Sequence, residues 1–232
     1  MKKLATAMRY FSAGEWLLWG GSVALIVSSY LLFDQESVMN MVASLLGVTS
    51  LIFVAKGNPI GQAIMIVFCT LYGGISLSFR YYGEMLTYLL MSLPMAVVAL
   101  VSWLKHPYRG KRSEVSVGRV GKRELCFLCA LALTVTVLFY FLLRALNTAN
   151  LAVSTLSVTT SFAAAYLLYL RSPYYALAYA LNDVVLIVLW TLACMQDIQY
   201  LSVVVCFVAF FANDVYGYIS WHAMERRQGV SG

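Results

Sequence analysis

The most regular feature of the chain is a succession of apolar runs, each about as long as a membrane-spanning helix and separated by polar breaks. Hydropathy places eight of them, at residues 16–33, 38–55, 60–79, 85–103, 125–145, 151–170, 174–194 and 200–221. A bilayer core about 30 Å thick requires about 20 apolar residues of a helix, and lipid leaves open strands and loops without hydrogen-bond partners. The pattern predicts an all-α integral membrane protein with about eight transmembrane helices.

Composition and charge support this prediction and add an orientation. Hydrophobic residues make up 62% of the 232 residues and charged residues 11%, with a mean hydropathy of +0.80, which is far from a soluble domain. All Lys and Arg residues except Arg80 and Arg144 fall on one side of the predicted membrane, in both tails, two short breaks and the connector 105–124. By the positive-inside rule, both termini and the connector are predicted to be cytoplasmic, in a multi-pass protein of the plasma membrane. The net charge of +6 therefore reports topology, and no nucleic-acid partner is expected.

A faint internal repeat divides the chain. The stretch "VTSLIFVAKGNP" (48–59) precedes one pair of spans, and "VTTSFAAAYLLYLRSP" (158–173) precedes another. We expect a tail and an extra helix at 1–37, a three-helix bundle at 38–103, a connector and linker helix at 104–150, and a second three-helix bundle at 151–232. Parallel repeats of this kind typically hold a transported solute near the bilayer midplane, between the halves.

Two Asn-Asp pairs lie inside apolar spans, at Asn182 and Asp183 and again at Asn213 and Asp214. An ionised Asp at the bilayer centre costs roughly 2.5–3.5 kcal/mol on insertion scales, so such residues need partners or a wet cavity. Helical spacing places aromatic residues along the same faces: Tyr175, Tyr179, Trp190 and Tyr218.

The combination indicates a ligand of particular chemistry. A carboxylate supplies a counter-charge, aromatic faces attract cations and offer stacking area, and an amide both donates and accepts hydrogen bonds. A planar, hydroxylated organic cation fits this set. The alternative is that these polar residues are structural and hydrogen-bond between helices.

Other intramembrane residues are weaker candidates. Gln62 and Tyr72 lie in the third span and are predicted to line the same pocket. Thr160 lies in the sixth span, although Thr in helices commonly bonds its own backbone. Arg80 and Glu84 have the spacing of an ion pair at a helix end, and the alternative is a gate.

The remaining motifs exclude several classes of protein. "GRVGKRE" lacks the glycine spacing and hydroxyl of a phosphate-binding loop, and the sequence offers no His or Cys cluster with metal-ligand spacing. We therefore expect no cofactor and no enzymatic activity. Trp16, Trp19 and Trp103 are predicted to be interfacial belt residues, whereas Trp221 fits a belt and a pocket equally well.

Three stretches carry a family resemblance: the run from "GNPIGQ" (57–62) to "HPYRG" (106–110), "SPYYALAYALNDVVLIVLW" (172–190), and "NDVYGYISW" (213–221). They resemble the PnuC vitamin transporters, in particular the variant of Gram-positive bacteria. The resemblance covers the chain from about residue 38 onward. It implies a SWEET-like 3+1+3 parallel-repeat bundle with one extra N-terminal helix.

The resemblance also implies a function. The family imports nicotinamide riboside by facilitated diffusion, and a separate cytoplasmic kinase traps the vitamin by phosphorylation. The implied partners are this small molecule and the lipid bilayer, and a homo-oligomer is compatible with them. The alternatives are transport of thiamine or riboflavin, or a membrane protein that senses the vitamin without passing it.

Site residues carry over selectively. The family pattern Trp-x-x-Trp-x-x-x-Asn stands here as Tyr175, Ala178 and Asn182, and the last-span pattern as Asn213, Tyr216, Gly217 and Trp221, with the Trp one residue late. The residues and the resemblance together give one predicted substrate-binding set: Asn182, Asp183, Asn213, Asp214, Tyr179, Trp190, Tyr216, Tyr218, Tyr175, Tyr72, Gln62 and Thr160.

Overall fold

A computed structural model describes residues 10–34, 38–78 and 82–230. The described elements, in chain order, are α1 (Ala13–Phe33), α2 (Val38–Ala55), α3 (Pro59–Ser78), α4 (Tyr82–Leu86), a π-helical segment (Thr87–Ser92), α5 (Leu93–Lys105), β1 (Pro107–Tyr108), β2 (Lys111–Val115), α6 (Lys122–Ala145), α7 (Leu151–Tyr169), α8 (Tyr175–Cys194), a 3₁₀ turn (Ile198–Tyr200) and α9 (Leu201–Gln228).

The prediction of an all-α membrane protein is confirmed. Seven helical stretches within the described residues are long and apolar enough to cross a membrane. The remaining predicted span is α3, which has 20 residues and contains the shorter apolar stretch Pro59–Gly74. The two-bundle repeat and the domain boundaries stay predictions.

Local sequence signals set several helix ends. Ser12 and Glu15 form a capping box at the start of α1, which satisfies two backbone N–H groups that the helix leaves open. Asn58 accepts a hydrogen bond from the Ile60 N–H at the first turn of α3. Gly229, with φ 69°, ends α9 in the left-handed conformation that glycine adopts without a steric penalty. This helix extends seven residues beyond the predicted end at 221.

The helices pack as neighbours around a shared interior. α1 lies against α2 and α9, α2 packs on α3, and α3 packs on α5, while α5 contacts α7, α7 contacts α8, and α8 contacts α9. The linker helix α6 packs on α7 and is the least buried of the predicted spans that the structure describes. Most of its surface is therefore exposed in the single chain.

The connector folds into a structured strap, which we define as residues 107–118. Its two strands pair in an antiparallel hairpin, which the sequence analysis did not predict. The Val115 N–H donates to the Gly57 carbonyl at 2.9 Å and the Gly118 N–H donates to the Arg171 carbonyl at 2.9 Å. The Val117 N–H donates to Oε1 of Gln228 at 2.8 Å. The strap thus ties two interhelical breaks to the end of α9.

A core of large side chains closes the bundle beside the strap. Trp103 and Trp221 are both fully buried, with ring centroids 5.5 Å apart. The Trp103 Nε1–H donates to the Leu168 carbonyl at 3.1 Å, and the Trp221 Nε1–H donates to the Val54 carbonyl at 2.9 Å. Val115 of the strap belongs to the same cluster. The expectation that Trp103 is an interfacial belt residue is therefore wrong, because its indole is sealed between helices.

Gly118 is predicted to be essential for the fit of the strap. A Cβ at this position would overlap the Leu170 carbonyl oxygen, so Gly118→Ala forces the two backbone segments apart and should destabilise the protein by about 1–3 kcal/mol. The measurement is thermal unfolding of purified protein in detergent. Gly20→Ala is the control, since a Cβ there meets nothing within 4 Å. Equal stability of Gly118→Ala and wild type would contradict this account of the strap.

Candidate functional site

A cavity of about 520 Å³ lies inside the helix bundle and is lined by residues from α2 to α9. Its volume is within the usual range for small-molecule sites. Its lining includes Asn147, Asn150 and Gln196, which are exposed residues of interhelical loops. The cavity therefore opens at that end of the bundle. At the other end it reaches Val54, Leu168 and Tyr175, which belong to the closed core beside the strap.

Two carboxyl groups face each other in the wall of the cavity. Asp183 on α8 and Asp214 on α9 are 3% and 4% exposed, line the cavity and lie close enough for their charges to interact. Oδ2 of Asp183 has no partner among the described residues. Carboxyl groups this close repel each other when both are ionised, and an adjacent cation offsets that repulsion.

The cavity has no compensating positive charge in its described lining. Asp183 and Asp214 are the ionisable carboxyl groups there, and none of the described lining residues is Lys, Arg or His. The nearest opposite charges therefore have to come from a ligand or from solvent. In a low-dielectric interior, two carboxyl groups without a basic neighbour strongly favour a positively charged ligand.

Aromatic rings form much of the remaining surface. Phe68, Tyr72 and Tyr88 cluster on α3 and the π-helical segment, and the Tyr72 and Tyr88 ring centroids are 4.6 Å apart. On α8, the Trp190 ring centroid lies 5.4 Å from that of Tyr200, and the Tyr175 centroid lies 6.3 Å from that of Tyr179. Ring faces and edges of this kind suit a flat, cationic ligand.

Two buried amides also belong to the lining. Gln62 on α3 is 1% exposed, and neither its Nε2 nor its Oε1 has a hydrogen-bond partner among the described residues. Asn182 on α8 is 4% exposed and receives a hydrogen bond at Oδ1 from the Thr160 hydroxyl at 2.8 Å. An amide with unmet hydrogen bonds in a cavity wall is costly unless something binds to it.

The structure brings eight predicted site residues together in the cavity wall and places four elsewhere. The eight are Gln62, Tyr72, Tyr175, Tyr179, Asn182, Asp183, Trp190 and Asp214. Thr160 stands behind Asn182. Asn213 donates to Ser22 Oγ at 2.9 Å and to the Ala209 carbonyl at 2.8 Å, and Tyr216 donates to Glu15 at 2.7 Å.

These contacts have a simple geometric cause. Consecutive residues of a helix point about 100° apart, so Asp214 faces the cavity while Asn213 faces α1. Tyr218 lies on a further side of α9, with its ring centroid 4.2 Å from that of His222. Asn213 and Tyr216 thus anchor the extra helix.

Arg80 is outside the described residues, as is the side chain of Glu84, so the ion pair predicted for them stays a prediction.

Sequence reasoning missed several lining residues. Tyr88 and Ser92 lie on the π-helical segment between α4 and α5, where the Leu93 N–H bonds back to Tyr88 just before Pro94. A π-helical turn often marks a functional site, and Pro94 offers a weak signal for it because proline cannot donate a helix hydrogen bond. Tyr200 and the 147–150 loop carry no signal that hydropathy would detect.

A multi-helix membrane protein with a cavity among its helices that holds buried polar groups and is open at one end and closed at the other has the architecture of a transporter. Comparison with known proteins agrees. Residues 37–223 match the family model described as nicotinamide mononucleotide transporter. The chain belongs to this family, which confirms the resemblance to PnuC transporters, and it is a transporter rather than an enzyme.

Two individual relatives give the extent of the similarity. The chain is 26% identical over 216 residues to a protein of Neisseria mucosa named nicotinamide riboside transporter PnuC, covering 91% of this chain and 81% of that protein. It also superimposes with a TM-score of 0.79 on the crystal structure of the vitamin B3 transporter PnuC, at 24% identity and 94% coverage of both chains. The second comparison establishes the shared fold.

The unpartnered amide of Gln62 yields a prediction about the empty protein. Gln62→Leu replaces buried unsatisfied polar atoms with apolar ones of similar size, so the ligand-free protein should gain about 1–3 kcal/mol of stability. Thermal unfolding without ligand measures this gain. Gln196→Leu is the control, because Gln196 is exposed at the cavity mouth. A large loss of stability in Gln62→Leu would show that the amide is a structural hydrogen-bonding group.

Proposed function

We propose that the protein imports nicotinamide riboside across the plasma membrane by facilitated diffusion. One observation carries the proposal: a cavity whose described lining contains two facing carboxyl groups and no basic side chain. Nicotinamide riboside combines a flat pyridinium cation with a ribose and a carboxamide. The name of the Neisseria mucosa relative supports the same substrate.

Charge favours the riboside over the mononucleotide that appears in the family's description. A phosphate monoester carries a charge of about −1.5 to −2 at neutral pH and is usually bound by Arg, Lys or backbone N–H groups. The described lining supplies two carboxyl groups in place of such cations. Placing a phosphate beside Asp183 and Asp214 would add repulsion in a poorly solvated space.

Each part of the substrate has proposed partners. Asp183 and Asp214 offset the pyridinium charge. Gln62 and Asn182 hydrogen-bond to the carboxamide or the ribose. The ring faces come from Tyr72, Tyr175, Tyr179 and Trp190. Thr160, Asn213, Tyr216 and Tyr218 act behind this wall, where they support the helices that carry it.

The orientation of the protein in the membrane follows from the charge outside it. The strap end carries nearly all the Lys and Arg residues of the chain, so it faces the cytoplasm together with both termini. The cavity then opens outward, ready to receive substrate, and release requires that the core around Trp103 and Trp221 opens. Phosphorylation by a cytoplasmic kinase would trap the vitamin and maintain the inward gradient.

Removing the two carboxylates should weaken binding without unfolding the protein. In the double variant Asp183→Asn/Asp214→Asn, affinity for nicotinamide riboside should fall at least about tenfold, since interactions with a charged group contribute about 1.5–3 kcal/mol. The ligand-free variant should be at least as thermally stable as wild type, because the repulsion is gone. Calorimetric titration and thermal unfolding of purified protein measure the two effects.

The control is Asp34→Asn, which changes a carboxylate at the end of α1 outside the cavity lining. Wild-type protein should prefer nicotinamide riboside to nicotinamide mononucleotide and to neutral riboflavin. Tighter binding of the mononucleotide would overturn the charge argument. Tighter binding of thiamine, which is also a cation, would agree with the charge argument and would make thiamine the substrate instead of nicotinamide riboside.

A further inference from the structure

The side chain of Gln228 holds the strap to the end of α9. Its Nε2 donates to the Val115 carbonyl at 3.1 Å, and its Oε1 accepts a hydrogen bond from the Val117 N–H at 2.8 Å. One amide therefore satisfies two backbone groups along the edge of the strap, as a neighbouring strand would. Nε2 also donates to Oε1 of Glu114 at 3.0 Å.

An ion pair joins the same two elements. The Arg227 guanidinium donates to the Glu114 carboxylate, and the Arg227 side chain is 62% exposed. Exposed ion pairs contribute only about 0.2–1 kcal/mol. Both residues line a cleft of about 310 Å³, together with Ser113 of the strap and Ser220 and Ala223 of α9. At this point the strap and α9 are thus joined by side chains beside an open space.

The strap is attached elsewhere by its backbone. The Val115 N–H bonds to the Gly57 carbonyl in the break between α2 and α3, and the Gly118 N–H bonds to the Arg171 carbonyl in the break between α7 and α8, each at 2.9 Å. Releasing either break requires backbone movement. The bonds to α9 break when the side chains of Gln228 and Arg227 turn away, so α9 is the attachment that is easiest to release.

The attachment to α9 controls the core that closes the cavity. Trp221 lies seven residues before Gln228 on α9, which is two helical turns, so the two side chains lie on the same face of the helix. Trp221 packs with Trp103 and with Val115 of the strap. While Gln228 holds α9 against the strap, Trp221 stays packed on Trp103.

We propose that the strap, Gln228 and Arg227 form a latch at the closed end of the cavity, and that release of the two side chains lets α9 move and the transported solute leave. The inference goes beyond the proposed function. It concerns how any solute leaves this chamber, and it holds whichever vitamin is carried.

A buried thiol reports whether the core opens. Ala176 is fully buried in the core of Trp103 and Trp221, so the thiol in an Ala176→Cys variant reacts with N-ethylmaleimide only when that core opens. The native Cys206 is 5% exposed in a separate core and reports general loosening. Mass spectrometry of purified full-length protein without ligand measures the labelling rate at each position.

Breaking the latch should speed labelling at position 176 alone. Added to Ala176→Cys, Gln228→Ala should raise that rate roughly two- to tenfold relative to Cys206, the effect of losing one ordinary hydrogen bond. The control is Gln196→Ala, which removes an exposed glutamine at the open end of the cavity and should leave the rate unchanged.

The ion pair gives a second, reversible test. Arg227→Glu places a carboxylate against Glu114 and should raise the labelling rate at position 176 roughly two- to fivefold. Adding Glu114→Gln removes the repulsion, keeps an acceptor for Gln228, and should bring the rate back. Arg226→Glu is the matched control, because Arg226 donates to the His222 carbonyl on its own helix.

The outcomes decide the role of the strap. A labelling rate at position 176 that stays at the parent value in Gln228→Ala and in Arg227→Glu would overturn the latch and show that the strap only packs against the bundle. Equal increases at position 176 and at Cys206 would also overturn it, since they would show general loosening. Should Gln228→Ala fold poorly, Arg227→Glu gives the same reading. The proposed function fails separately, if wild type does not bind nicotinamide riboside.

Discussion

The structure depends on the burial of two carboxyl groups against each other inside a membrane. Asp183 and Asp214 come from neighbouring helices and meet in the wall of the cavity. Lipid-exposed carboxylates would oppose insertion, and a packed interior without a void would leave them repelling each other. A chamber that receives a cation is the arrangement that makes their position favourable, and the aromatic and amide groups around them are consistent with it.

The rest of the fold leaves the chamber open at the end with the 147–150 loop and closes it at the end with the strap. Trp103 and Trp221 pack with Val115 of the strap, and their indole N–H groups bond to carbonyls of other helices. The extra helix α1 is attached separately, through Asn213 to Ser22 and Tyr216 to Glu15. Polar residues that looked equivalent in the sequence therefore have two uses, in the chamber and in helix attachment.

Some levels of this structure can be predicted from the sequence and others cannot. Hydropathy predicts the helices because length and apolarity are local properties, and the cost of burying charge draws attention to Asp183 and Asp214. The direction of a side chain around its helix depends on which neighbours pack there. For this reason Asn213 and Asp214 look equivalent in the sequence, although of the two only the aspartate reaches the cavity. The fold of the strap was missed because the bonds that hold it against the bundle, to Gly57, Arg171 and Gln228, come from residues far away in the chain.

The central claim is that the chain passes a cationic vitamin through this chamber rather than merely holding it. Purified protein reconstituted into liposomes, without ATP, kinase or an ion gradient, tests it directly with labelled nicotinamide riboside outside. The account predicts saturable entry until the internal and external concentrations are equal. Saturable binding with no more label in the lumen than in protein-free liposomes would contradict it and would indicate a membrane protein that senses the vitamin.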